Sequence, residues 1–223
     1  MIRTTLIALV LVPLVGLGAA RETHAAPNAF ESSAPPSSSG WINVHTGITF
    51  ADSLVLGEQA LQLDGEGAPG MVFGIGIHWR TARIDLGALF ESSSGFYFKP
   101  LQQEFPTGGQ FRVAANLRWR YIEDAWGALF MRLTPGLMVF RHADAVRQQV
   151  ASVDGSNLEG VDTHSLGFAL GFDFGVLLYI TDDIAITIDL DIVSGTTTLA
   201  TDGGEVDLSL VRGFFTAGIE WRM

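Results

Sequence analysis

The stretch Leu166–Ile180, LGFALGFDFGVLLYI, decides the fold. Leu166, Phe168, Leu170, Phe172, Phe174, Val176, Leu178 and Ile180 are all large and apolar, and between them stand Gly167, Ala169, Gly171, Asp173, Gly175, Leu177 and Tyr179. A period of two is the pattern of a strand whose two faces meet different surroundings. Ile184, Ile186, Ile188, Leu190 and Ile192 repeat it against Ala185, Thr187, Asp189, Asp191 and Val193. So do Met71 to Trp79 and Phe111 to Tyr121, and Trp41–Ala51, Arg83–Glu91 and Val211–Met223 fit the same template. Trp126–Phe140 fits least well, because Pro135 interrupts it and the parity of its apolar face is unclear. Eight strands follow, with no long segment at helical spacing.

The joints between these strands alternate in length. Thr81-Ala82, Ile122 to Ala125 and Thr181 to Asp183 are tight turns, whereas Asp52 to Pro69, Ser92 to Gly109, Arg141 to Thr163 and Ser194 to Leu210 are long loops. Short turns on one side, long loops on the other and an even strand count give an all-β fold: an eight-stranded antiparallel up-and-down transmembrane β-barrel. A soluble sandwich or lipocalin-like barrel also alternates, but its wet face carries Lys, Glu and Thr. Here the less apolar face carries Gly and Ala with Arg112, Arg118, Arg132, Asp85, Asp173, Asp189, Asp191 and Glu220, the composition of a crowded interior with crossed ion pairs. His45 and His78 fall on the same face and are read as interior histidines rather than ligands.

Aromatic placement agrees. Trp41, Trp79, Trp119, Trp126 and Trp221, with Tyr121, all fall at the short-turn side, where a girdle at headgroup level belongs. Phe50, Phe90, Phe98, Phe111 and Phe140 gather near the long-loop end.

Composition narrows the function classes. The chain has 223 residues, 48% of them hydrophobic and 17% charged, with 26 Gly, no Cys and a formal charge of −11. That excludes a disulfide scaffold and leaves no basic patch for nucleic acid. Residues 1–25, with Arg3, the apolar run Leu6 to Ala20 and small residues at Ala20 and Ala25, read as a signal peptide too short to span a bilayer. Residues 26–40, APNAFESSAPPSSSG, read as a flexible Pro/Ser-rich linker. The barrel is expected over 41–223.

At the C-terminus Phe215, Ala217, Ile219, Trp221 and Met223 alternate with Thr216, Gly218, Glu220 and Arg222. This resembles the closing-strand signal of bacterial outer-membrane proteins, with Met223 in place of the usual terminal Phe. As architecture over Trp41–Met223, the chain resembles the small outer-membrane barrels of the OmpA-barrel, OmpX and OmpW kind. The resemblance implies residence in the outer membrane of a Gram-negative bacterium, contact with its bilayer and lipopolysaccharide, and assembly by the barrel assembly machinery through the last strand. It carries over no site residue.

Eight strands enclose room for side chains rather than a pore. The third long loop brings His142 and Asp144 near Asp162, His164 and Ser165, a grouping to weigh as a hydrolase or a metal site. Adjacent His164 and Ser165 point to opposite faces of a strand, which disfavours them as a dyad. No catalytic, cofactor or metal residue is assigned. The four loops hold twelve acids (Asp52, Glu58, Asp64, Glu66, Glu104, Asp144, Asp154, Glu159, Asp162, Asp202, Glu205 and Asp207) against Lys99, Arg141 and Arg147. None has EF-hand spacing. The expected function is a monomeric, non-enzymatic envelope protein, structural or acting at the surface through acidic loops. A narrow pathway for small or hydrophobic molecules, which the resemblance to OmpW-like barrels implies, and a lipid A-modifying enzyme are the alternatives.

Overall fold

A strand that alternates at period two meets lipid with one face and its own lumen with the other, provided the sheet closes and leaves no edge in hydrocarbon. In the computed structural model, which describes residues 39–56, 70–93, 97–98, 105–106 and 108–223, eight strands do this. They are β1 (Ser39–Leu56), β2 (Met71–Arg80), β3 (Ile84–Ser93), β4 (Gly108–Glu123), β5 (Gly127–His142), β6 (His164–Thr181), β7 (Ile184–Thr201) and β8 (Gly204–Arg222). Each pairs antiparallel with its sequence neighbour, and β1 closes the ring on β8 from Trp41↔Arg222 to Leu56↔Leu208. The expected signal segment and residues 26–38 lie outside the described residues. Ser39 and Gly40, expected as linker, already pair with Arg80 and Trp79 as the first rungs of β1.

The facing is as the alternation requires. Phe168, Leu170, Phe172, Ile188, Leu190 and Ile192 are exposed on the outer wall, while Ala169, Asp173, Thr187, Asp189 and Asp191 are buried. In β5 the face left unclear by the sequence is continuous through Pro135: Arg132, Thr134 and Met138 point in, Leu133 and Leu137 out. The pattern was hard to read because the inward side of β5 also carries Phe130, Met138 and Phe140. Pro135 has no N–H to donate, and the β4–β5 ladder passes from Ala114↔Gly136 to Leu117↔Leu133 without a pair between.

Two expectations about the long-loop end are corrected. Ser194 to Leu210 is not a loop: β7 and β8 stay paired up to Thr201↔Gly204, around a turn at Asp202-Gly203. Beyond Ile192 the outward side of β7 becomes Ser194, Thr196 and Thr198. The strand has left the hydrocarbon, so its outward polarity changes while its β-branched residues keep it extended. The connection between β5 and β6 holds a helix, α1 (Asp144–Asp154), followed by a 3-10 turn at Leu158–Gly160. A short ladder pairs Tyr97–Phe98 with Phe105–Pro106.

Aromatic positions divide. Trp79, Trp119, Trp126 and Trp221 are exposed at the short-turn rim. Trp41 is buried inside that rim, with the Arg80 guanidinium 3.8 Å from its ring centroid and its Nε1 donating to Ser39 Oγ. Its parity with His45 assigns it to the lumen. Phe50, Phe90 and Phe111 face outward, but Phe140 is buried and points in; the side chain of Phe98 lies outside the description.

Candidate functional site

Among the described residues the sheet gathers its charged side chains in the lumen, where they are organised in levels. Nearest the short turns, β3 and β4 set Asp85 opposite Arg118, and β8 adds Glu220. Arg118 donates from Nε to Asp85 Oδ2 at 2.7 Å and from Nη2 to Glu220 Oε2 at 3.0 Å, and its Nη1 also pairs with Glu220. Arg80 Nη2 reaches the same Oε2 at 3.0 Å, and Arg120 Nη2 lies 3.2 Å from Asp85 Oδ1. His78 Nε2 accepts from Arg118 Nη2 at 2.7 Å. Trp41 and Arg80 cap this level.

At mid-barrel, Arg112 Nη2 bridges Glu91 and Asp191 at 3.1 Å each, and its Nη1 donates to Thr134 Oγ1 at 3.2 Å. Arg132 pairs with Asp173 and stands 3.5 Å from Asp189, which also accepts from Thr216. His45 engages Asn43 through Nδ1 at 2.8 Å, with Nε2 3.6 Å from Glu91. Above them Arg212 Nη1 donates to Ser93 Oγ and Gln110 Oε1 at 3.2 and 3.1 Å.

Arg80, Arg112, Arg118, Arg120, Arg132 and Arg212 thus face Asp85, Glu91, Asp173, Asp189, Asp191 and Glu220 in the lumen, six formal cations against six anions, with Arg80 partly exposed at the rim and the other eleven buried. Arg80 and Arg120 fall on the less apolar face by the alternation of their strands, and Glu91 and Arg212 follow by parity, each lying an even number of residues from an interior position on its own strand.

Interior glycines make room for these side chains. A Cβ at Gly171 would strike Thr134 Oγ1 and Arg112 Nη1, whereas one at Gly76 would find its nearest neighbour, Asn43 Cβ, at an ordinary 3.6 Å. Gly171→Ala is therefore expected to cost about 1–3 kcal/mol by overpacking, and Gly76→Ala to be neutral or to stabilise by up to about 1 kcal/mol. Reversible unfolding in vesicles measures both; equal effects would refute the packing argument.

The outer mouth differs in kind. Inward residues become apolar at Val72, Met138, Phe140, Val193, Leu199, Leu208, Leu210 and Phe214, and Val146, Val150 and Ala151 of α1 pack down onto them with Val161. Water would otherwise meet this surface, so α1 buries its apolar stripe here.

The loop cluster is rearranged relative to expectation. His142 Nε2 and Ser165 Oγ, both buried, lie 2.7 Å apart. They come from consecutive strands and are diagonal neighbours, since Phe140 stands opposite Ser165. His164 points outward and meets Thr163 Oγ1 through Nδ1 at 2.8 Å. Asp144 is exposed and pairs with Arg147, and Asp162 is exposed. No carboxylate is among the hydrogen-bond partners of His142, whose Nδ1 has none, so the described residues form no Ser-His-acid array. No group of three or more His, Cys, Asp or Glu among them is placed to hold a metal.

No protein-family model matches the chain, and no curated protein matches its sequence. Solved structures do match its shape. Neisserial surface protein A superposes with a TM-score of 0.54 at 10% identity, over 84% of this chain and 100% of that one. The outer membrane protein OprG from Pseudomonas aeruginosa superposes with a TM-score of 0.51 at 9% identity, over 83% of this chain and 96% of that one. At such identities the likeness is one of fold, and the fold is that of an eight-stranded outer-membrane barrel.

Proposed function

We propose that this barrel is a closed, non-enzymatic anchor in the outer membrane of a Gram-negative bacterium. It would hold an acidic platform at the cell surface for contact with a cationic partner or, through divalent cations, with lipopolysaccharide. The observation that supports this reading is the occupied lumen: two levels of Arg-carboxylate pairs with an apolar cluster above them stand in an interior that eight strands make just wide enough for side chains.

The platform is built from α1, the 3-10 turn and the β7–β8 hairpin. Asp162 N donates to Ala200 O at 3.1 Å and Gly203 N to Ser156 Oγ at 3.2 Å, tying loop to hairpin. Asp144, Glu159, Asp162, Asp202, Glu205 and Asp207 are exposed there, against Arg141 and an Arg147 already engaged by Asp144. Segments 1–25 and 26–38 fit the reading as a cleaved signal and a periplasmic tether, and the last strand as the element engaged by the assembly machinery.

In planar bilayers the refolded chain is expected to give at most small, irregular conductance; a large steady channel would overturn the closed-lumen reading. A second reading, a narrow pathway for small or hydrophobic molecules, is favoured by the apolar lining of the outer mouth and the unladdered stretch opposite Pro135. Its test is uptake of a hydrophobic solute into vesicles that contain the barrel.

A further inference from the structure

The geometry points to a proton-binding site at mid-barrel: Asp173 of β6 and Asp191 of β7 share one proton, which the barrel takes up on folding as a structural ligand. The two residues stand directly opposite one another in the β6–β7 ladder, are 0% and 1% exposed, and bring their carboxyl groups within hydrogen-bond reach of each other. Two ionised carboxylates are acceptors alone and cannot bond to one another. With one proton between them they form a charge-assisted O–H···O bond that fastens β6 to β7 inside the lumen.

Each carboxyl group has divided its two oxygens. Asp173 Oδ2 accepts from Arg132 Nε, and Asp191 Oδ2 accepts from Arg112 Nη2 at 3.1 Å. Oδ1 of each is buried without a partner. Asp191 Oδ1 leans over β6, where it stands 3.2 Å from the point that a Cβ on Gly171 would occupy. A buried carboxylate oxygen with no donor is costly, and one shared proton satisfies both.

The charges around the pair agree. Arg112 from β4 and Arg132 from β5 are the cations at this level, against Glu91 from β3, Asp173 from β6, and Asp189 and Asp191 from β7. His45 from β1 stands 3.6 Å from Glu91, β2 faces it with Gly74, and β8 contributes the hydroxyl of Thr216. Two guanidinium groups leave a surplus of carboxylate in a desolvated wall, and a proton on the pair lowers it. Asp189 is not the holder, because Thr216 donates to its Oδ1 and Arg132 stands 3.5 Å from its Oδ2. A metal ion in the proton's place would need a third ligand, and no group of three among the described residues is placed to hold one. The site does not depend on what the loops contact or on whether anything passes through the barrel.

The full chain, isotope-labelled at the aspartate side-chain carboxyl and refolded in phosphatidylcholine vesicles, is read at neutral pH by infrared spectroscopy. The native chain should show one band from an un-ionised aspartate carboxyl. Asp173→Asn and Asp191→Asn should each lose it, and Asp189→Asn should keep it. An asparagine at 173 or 191 keeps an oxygen for its arginine and offers Nδ2 to the remaining Oδ1, as the proton did, so both variants should fold. Near neutral pH the unfolded chain holds no proton on these residues, so the folded state binds one more and loses stability as pH rises. Between about pH 5 and pH 7 the folded-to-unfolded ratio of the native chain should therefore fall about tenfold per pH unit more steeply than that of Asp191→Asn. Absence of the band from the native chain, which a bridging water between two ionised carboxylates would give, overturns the proposal without recourse to any variant. A band that survives both substitutions, or equal pH slopes, would overturn it as well.

Discussion

Arg132→Ala is expected to destabilise the barrel by about 3–5 kcal/mol, the cost of stranding buried carboxylates. Arg132 is the cation paired with Asp173 and stands beside Asp189, and β6 sets Asp173 directly opposite Asp191 on β7. Mid-barrel is already short of positive charge, with Arg112 and Arg132 facing Glu91, Asp173, Asp189 and Asp191. Removing Arg132 leaves three aspartates close together with Arg112 as their cation, and Arg112 is shared with Glu91. Asp173→Asn removes one stranded charge while keeping its shape. On the native background it should cost about 1 kcal/mol, the size of one hydrogen bond, because Asp189 still holds Arg132. Combined with Arg132→Ala it should restore much of the loss. Reversible denaturant unfolding in vesicles compares the three, and a double variant no more stable than Arg132→Ala would mean that lost packing, not stranded charge, sets the penalty.

How far the sequence could be read depended on whether a residue's neighbours were set by local periodicity or by closure. Alternation in Leu166–Ile180 and Ile184–Val193 is local, so facing is legible there, and with it the interior place of Asp173, Asp189 and Asp191. Where lipid ends, the rule changes. The outward positions Ser194, Thr196 and Thr198 no longer need to be apolar, so an apolar-face criterion stops at the bilayer while the strand continues to Thr201. For the same reason Trp41 was assigned to the girdle by its height on the barrel, although its parity with His45 assigns it to the lumen.

The outer mouth was the least legible part. The apolar residues of Asp144–Asp154 are alanines and valines alone, and its Val146 and Val150 gain a role only when the wall supplies Phe140 and Phe214 beside them. The pairing of His142 with Ser165 likewise depends on register between β5 and β6, in which Arg141 stands opposite His164. The two residues that are adjacent in sequence, His164 and Ser165, diverge, and the two that are 23 apart meet.

Ile188→Arg is expected to lose about 2–4 kcal/mol in lipid, because it places a cation in hydrocarbon near the midplane of the outer wall. Ile188 lies in the outward row Ile184, Ile186, Ile188, Leu190 and Ile192, is 38% exposed, and has Val176 of β6 and Ala217 of β8 as its cross-strand neighbours, so nothing anionic is within reach. Its neighbour Thr187 is 1% exposed and lies on the lumen side, where Asn43 Nδ2 donates to its Oγ1 at 3.4 Å and to Glu220 Oε1 at 3.3 Å. A shorter change there, Thr187→Val, keeps the volume and leaves Asn43 its bond to Glu220, so it should cost about 1 kcal/mol. The same Thr187→Val change on a lipid-facing position would be neutral or favourable, since it trades a hydroxyl for a methyl. Unfolding in vesicles of different acyl-chain length separates the two environments. The Ile188→Arg penalty should fall as the bilayer thins and the guanidinium nears the headgroups, while the Thr187→Val penalty should not respond to thickness. A thickness-dependent effect at Thr187 and none at Ile188 would mean that β7 is turned inside out, and the lumen network built on Asp189 and Asp191 would fall with it.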